Sequence, residues 1–149
     1  MSQPPLTILV VEDNPTDVLL VRRAFAKANI VHPMQFVHDG DTAVDYLSGA
    51  GAFTDRARFP LPALILLDLK LPRRSGLEVL EWLRRQTVLR RLPVVVLTSS
   101  SQSPDVNRAY ELGANSYLVK PVEFDDLRAM LAQVNIYWLD VNTRPTLSA

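Results

Sequence analysis

Apolar residues in this chain cluster in short unbroken runs, separated by segments in which they recur every third or fourth position. Residues 6–11 read LTILVV, 34–37 MQFV, 63–67 ALILL, 93–97 PVVVL and 116–119 SYLV. Runs of this length, rich in β-branched residues and bounded by turn formers, suit strands buried on both faces of a parallel sheet. Between them the period changes. Asn14-Pro15-Thr16-Asp17 opens a first helix, with Val18, Val21, Phe25 and Ala28 at helical spacing. Residues 41–47 form a second helix, and Ser75-Gly76-Leu77-Glu78 leads into a third that carries Leu77, Leu80, Trp82 and Leu83. A fourth covers 104–112 and stops at Gly113, a common residue just past a helix end. The fifth runs from about 123 to 139, with Leu127, Met130, Leu131, Val134 and Trp138 along one side. Residues 48–62 read as a surface loop of unusual length, and 140–149 as a polar tail.

Five strands alternating with five helices predict an α/β fold, a parallel sheet covered on both faces. Right-handed crossovers narrow this to a doubly wound sheet with order 2-1-3-4-5 as the leading topology. No internal repeat or boundary divides the chain, so one domain is expected over 1–149, its core at about 6–139. Ligands of such sheets bind at the C-terminal strand edge where the order reverses, here beside strands 1 and 3.

Composition changes this picture mainly by exclusion. Lys+Arg and Asp+Glu balance at 16 each, which removes the basic footprint of a direct nucleic-acid binder. No apolar run approaches the roughly 18 residues of a membrane span, and the N-terminus lacks a signal-peptide pattern. With no cysteine, a disulfide framework, a thiol nucleophile and a Cys-based zinc site are all excluded. A soluble, cytoplasmic protein is expected.

The candidate chemistry lies where strands end. Strand 1 runs into Glu12-Asp13, strand 3 into Asp68, strand 4 into Thr98 and strand 5 into Lys120. Three carboxylates gathered on one rim repel by roughly several kcal/mol at intermediate effective dielectric. Either one is protonated or a cation sits among them. Oxygen donors without His or Cys suit a hard ion, most often Mg²⁺, with Asp13 and Asp68 as direct ligands. A hydroxyl and an ammonium facing that ion are what phosphoryl oxygens require, and Asp68 becomes the candidate acceptor of a covalent phosphoryl group.

Those residues carry a resemblance. The acidic pair in VVEDN, Asp68 in LILLDLKLP, Thr98 in VVVLTSSS and Lys120-Pro121 in SYLVKP resemble the receiver domain of two-component response regulators, over nearly the whole chain. The resemblance implies a flavodoxin-like (βα)5 fold. It implies that Asp68 takes a phosphoryl group from a phosphohistidine on a sensor histidine kinase or phosphotransfer protein. Mg²⁺ would be held by Asp13, Asp68 and the backbone carbonyl of Lys70, with Glu12 acting through water. Thr98 and Lys120 would bind the phosphoryl oxygens, and Tyr117 would swing inward as Thr98 moves. The Lys120–Pro121 bond would be cis, while Lys70 and Ser100 would set the lifetime of the phosphoryl group. A narrower resemblance, in the 48–62 loop, in DLKLPRRSG and in the aromatic-rich last helix, is to the stand-alone regulators that partner bacterial and cyanobacterial phytochromes.

The expected role is signalling rather than catalysis. Only a short tail follows residue 139, so output through protein contacts is expected rather than through a DNA-binding domain. Ile136, Tyr137, Trp138 and Leu139 circle the last helix, and one packing stripe cannot bury them all, which points to a homodimer. The alternative is that this turn folds back on its own domain. Two rival functions stand beside the switch. A phosphohydrolase needs a second Asp where this chain has Lys70, and a phosphorylation-independent pseudo-receiver would use the fold only as a binding module. Nucleotide-binding glycine motifs are absent. His32 and His38 read as structural, and the pairs at 73–74, 84–85 and 90–91 as solvated basic faces.

Overall fold

The computed structural model describes residues 6–147. Five parallel strands, β1 (Ile8–Val11), β2 (Met34–Val37), β3 (Leu64–Leu67), β4 (Val94–Thr98) and β5 (Ser116–Val119), form one sheet in the order β2-β1-β3-β4-β5. This is the expected doubly wound topology. Each apolar run divides between two faces by the period-two alternation of a strand. Ile8 and Val10 face α1 (Pro15–Lys27) and α5 (Phe124–Asn135), meeting Val21, Phe25, Leu127 and Leu131. Leu9 and Val11 face α2 (Gly40–Ser48) and α3 (Gly76–Arg84), meeting Tyr46, Leu47, Leu80 and Leu83. Ala109 of α4 (Ser103–Glu111) packs on Val96 and Leu69. The three central strands are buried throughout, whereas β5 is a half-buried edge whose Val119 is exposed.

Helix starts follow local chemistry. Asn14 caps α1 by accepting from the amides of Thr16 and Asp17, with Pro15 in the first turn where no amide is missed. Ser75 and Glu78 satisfy each other's backbone amides in a capping box at the start of α3.

The 48–62 segment is the expected long surface loop, and it is internally packed: Phe53 and Phe59 pack around buried Tyr46 at ring separations of 5.1 and 6.1 Å. Arg56 donates to the Tyr46 and Leu47 carbonyls at 2.7 and 2.8 Å, satisfying the end of α2. Arg84, expected on a solvated face, is half-buried and donates to the carbonyls of Gly113, Arg90 and Leu92 and to Asn115 Oδ1. It ties α3 to the segments that lead into β4 and β5. The last helix is not uniform either. Beyond Asn135 it widens into a π-helical turn, Ile136–Val141, and the Asn142 amide donates to the Tyr137 carbonyl five residues back. The wider turn brings Leu139 into the core beside Leu131 and Val134, and Trp138 packs part-buried against the same cluster. Leu139 is 3% exposed and lies in the core, so it is withdrawn from the expected dimer surface, while Ile136 and Tyr137 remain 54% and 52% exposed. Trp138 is half-buried and stacks edge-on against Tyr137. Finally, no peptide bond among the described residues is cis. Lys120–Pro121 is therefore trans, the form an X–Pro amide favours by about 0.5–1 kcal/mol.

The tail folds back against the domain: Arg91 donates to the Thr146 carbonyl at 2.9 Å, and Leu147 packs against the α2–α3 side of the core. The two histidines are held by the backbone. His32 Nδ1 accepts from the Leu6 amide, and His38 Nδ1 lies 3.0 Å from the Glu12 carbonyl oxygen. Among the described residues no helix is long and apolar enough to cross a membrane.

Candidate functional site

Backbone ladders run one residue past the strand ends and fix the groups that follow. The Glu12 amide donates to the Val37 carbonyl, Asp68 to Val11 and Lys120 to Thr98, at 3.0, 3.1 and 2.8 Å. Side chains held this way have little freedom to wander from the edge. One carboxylate oxygen from each of Glu12, Asp13 and Asp68 lies within 4.8 Å of the other two. Glu12 and Asp68 are buried, 3% and 6% exposed, while Asp13 opens to solvent.

Asp68 is surrounded by donors. Its Oδ1 accepts from Thr98 Oγ1 at 2.8 Å and from the Lys70 amide at 3.2 Å, and its Oδ2 accepts from Lys120 Nζ at 2.9 Å. Lys120 Nζ also donates to Glu12 Oε1 and, at 3.0 Å, to Asp17 Oδ2. Thus all five residues expected at the sheet edge meet there: Glu12, Asp13, Asp68, Thr98 and Lys120. Asp17 is a sixth member that sequence reasoning passed over as a helix-opening acid. The missed signal is its place in the first turn of α1, directly after the acidic pair.

The charges settle unequally. Burial pushes Asp68 up, yet the Lys120 ammonium, the Thr98 hydroxyl and the Lys70 amide outweigh it and hold the carboxyl below its usual range. Burial raises Glu12 to about 7; the bonds from Lys120 and the Asn14 amide oppose this, and the Asp68 charge adds to it. For Lys120, burial works against the charge, but the bonds to Glu12, Asp68 and Asp17 raise its pKa above the ordinary lysine value. Asp68 is therefore ionised and Lys120 charged at neutral pH. Four carboxylates (Glu12, Asp13, Asp17 and Asp68) face one ammonium, which leaves an excess of three negative charges if all ionise. That excess, on oxygen donors alone, fits a hard divalent cation.

Glycines press the Asp68 loop into place. A Cβ on Gly76 would lie 2.1 Å from the Asp68 carbonyl oxygen, and one on Gly40 would lie 2.0 Å from that of Arg74. Only glycine lets the starts of α2 and α3 approach this backbone so closely. Lys70 is exposed beside the site. Half-buried Tyr117 donates from its hydroxyl to the Ser100 carbonyl at 2.8 Å, and the Ser100 hydroxyl in turn donates to Asp105 Oδ2. Burial pushes the Tyr117 phenol up; the Ser100 side-chain hydroxyl opposes this, and Asp105 and Asp68 add to it.

The response regulator receiver domain family matches residues 8–132. Response regulator Rcp1 of Synechocystis sp. is 40% identical over 144 residues, covering 97% of this chain and 96% of that protein. The Mn²⁺-bound form of Rcp1 superposes with a TM-score of 0.84 at 39% identity, over 95% of this chain and all of that one. A response regulator in red light signalling of R. palustris, RPA3017, superposes at 0.90 with 37% identity, covering 96% of this chain and 99% of that one. The phosphorylated cyanobacterial phytochrome response regulator RcpA superposes at 0.88 with 34% identity, over 96% of this chain and all of that one.

Proposed function

Since this chain belongs to the response regulator receiver family, whose members act by signalling and not by catalysis, we propose that Asp68 is its phosphoacceptor. One observation carries this reading: a hydroxyl from the end of β4 and an ammonium from the end of β5 converge on the ionised Asp68 at 2.8 and 2.9 Å. The donor is a phosphohistidine on a sensor histidine kinase or a phosphotransfer protein. An Asp68 oxygen attacks phosphorus, the P–N bond breaks, and the imidazole leaves and takes up a proton. Thr98 Oγ1 and Lys120 Nζ then donate to phosphoryl oxygens, which neutralises charge where it gathers. Mg²⁺, held by Asp13, Asp68 and the Lys70 carbonyl with Glu12 acting through water, would lower the repulsion between the carboxylate and the incoming phosphoryl group.

The chain works as a single receiver domain in the cytoplasm and signals through protein contacts. Its likeness to the cyanobacterial phytochrome response regulator RcpA and to RPA3017, a regulator in red light signalling, supports a phytochrome-type kinase as the partner. Tyr117 is the switch residue that follows Thr98, and exposed Ile136 and Tyr137 contribute to a homodimer.

The test is intact mass after incubation with Mg²⁺ and acetyl phosphate, for wild type and Asp68→Ala. A single hydroxylamine-labile phosphoryl adduct in wild type alone is expected. No adduct, either with acetyl phosphate or with a phosphorylated kinase, would turn the reading to a phosphorylation-independent binding module.

A further inference from the structure

The β4–β5 ladder ends where the Lys120 amide donates to the Thr98 carbonyl. Residues 99–102 then cross to α4 outside regular secondary structure. Ser100 holds them. It is 8% exposed; its hydroxyl donates to Asp105 Oδ2 and accepts from the Gln102 amide, and its carbonyl accepts from the Tyr117 hydroxyl at 2.8 Å. One residue thus joins the first turn of α4 to β5.

Little else fixes the start of α4. Its N-cap residue, Gln102, makes no side-chain cap, and Ala109 is its single buried residue, where α3 buries four. Among the described residues, the two side-chain hydrogen bonds that reach the start of α4 both end on the Ser100 hydroxyl. A bond to a charged acceptor shifts a two-state equilibrium by roughly ten-fold or more, and a buried hydroxyl left without its acceptor adds to that. The phenol bond is the weaker of the two, because Tyr117 is half-buried and its acceptor is neutral. Asp105 therefore decides where Ser100 points, and Ser100 decides where Tyr117 is held. The Tyr117 ring also packs against Ala109, Val96 and Leu69, so its anchor bears on the surface where α4 rests.

We propose that Asp105 is a positioning residue of the switch: it holds Ser100, and through the Ser100 carbonyl it keeps Tyr117 and the start of α4 in one arrangement. This role rests on Asp68 being the phosphoacceptor and Tyr117 the switch residue. A change at Thr98 then reaches Tyr117 only while Asp105 grips the segment that follows Thr98. An acid in the first turn also favours the helix dipole, but that contribution needs only the charge. Asn at this position keeps an acceptor for Ser100 without the charge, and Ala keeps neither.

The experiment is NMR on the whole chain with ring-labelled tyrosine, Tyr117 being assigned by its loss in Tyr117→Phe. A soluble paramagnetic agent reads the exposure of each ring. Wild type, Asp105→Ala, Asp105→Asn and Ser100→Ala are compared, with and without beryllofluoride and Mg²⁺ as a phosphoryl mimic. In wild type Tyr117 is shielded, and the shift of the Thr98 resonance reports binding of the mimic. In Asp105→Ala and Ser100→Ala the ratio of shielded to exposed ring falls roughly ten-fold or more. The mimic still shifts Thr98 in these variants but does not return Tyr117 to its shielded place. Asp105→Asn keeps most of the shielding. Should Asp105→Ala fail to fold, Ser100→Ala removes the same bond from the other side and carries the test. If Tyr117 stays shielded in Ser100→Ala, if the mimic restores its shielding there, or if Asp105→Asn exposes it as much as Asp105→Ala, the inference falls while the phosphoacceptor reading stands. If Thr98 does not shift in wild type and no adduct forms from acetyl phosphate, it is the phosphoacceptor reading that has failed.

Discussion

Lys120 sets the charge balance of the site, because Glu12 and Asp68 are buried beside it and share its ammonium. Lys120→Met leaves two adjacent buried carboxylates without a cation. The expected loss is about 3 kcal/mol of unfolding free energy. The loss should be smaller at pH 5 than at pH 8, because Glu12 then takes up a proton; urea unfolding at the two pH values reads both. An unchanged stability would mean that water already screens the pair. Glu12 gives a second expectation in the wild-type protein. Burial raises its folded pKa from 4.5 to about 7, so between these values the folded state binds more protons than the unfolded state. Stability from this group is therefore greatest below about 4.5 and falls as pH rises to about 7. Asp68, whose pKa is lowered, acts in the opposite sense only under more acidic conditions, outside that window. Saturating Mg²⁺ supplies the charge that the proton supplied, so the slope seen in EDTA should flatten; a slope of equal size in Mg²⁺ would argue against Glu12 facing the cation. The roster of this site was legible because strand ends announce themselves, each acid or lysine following an apolar run. Asp17 was not legible, because its partner depends on how α1's first turn lies across the end of β5.

At the scale of elements, the loop after β3 is fixed from outside. Gly76 opens α3 and lies against the Asp68 carbonyl, and its own amide donates to the Leu69 carbonyl at 2.9 Å. Gly76→Ala inserts a methyl where a backbone oxygen already sits. The loop must shift, at a cost of about 1–3 kcal/mol. Because the same backbone carries Asp68, adduct formation from acetyl phosphate should slow by roughly 10–100-fold, the scale of a small misplacement of a reacting group. Wild-type kinetics in this variant would separate the glycine from the chemistry. The sequence marks Ser75-x-x-Glu78 as a helix start, but it does not say that the glycine inside the motif touches the site. The far end of α5 shows a related limit. Four successive large apolar residues leave the buried face undefined, and one extra residue per turn decided it in favour of Leu139. Arg84 was misread for the opposite reason: its charge suggested solvent, while its partners are the carbonyls of Arg90 and Leu92 just past the helix and of Gly113 much further along the chain.

Across the whole molecule, strand order was legible because alternating elements and crossover handedness leave few alternatives, and the chain adopts the expected one. The course of the tail was not, since it is held partly by a backbone carbonyl, that of Thr146, which any residue could have offered. The π-helical turn makes the dimer question sharp, for it places residues of opposite consequence two positions apart. Tyr137 is half exposed and Leu139 is buried. Tyr137→Asp should shift sedimentation from dimer to monomer while changing the monomer's unfolding free energy by less than about 0.5 kcal/mol, as surface substitutions do. Leu139→Ala should instead cost about 2–5 kcal/mol through the cavity it leaves among Leu131 and Val134. Should wild type sediment as a monomer at high concentration, with and without beryllofluoride, the dimer falls. Ile136 and Tyr137 would then be ordinary exposed apolar side chains, of which every folded surface carries some. Should Tyr137→Asp lose stability as Leu139→Ala does, the turn serves its own domain and the interface lies elsewhere.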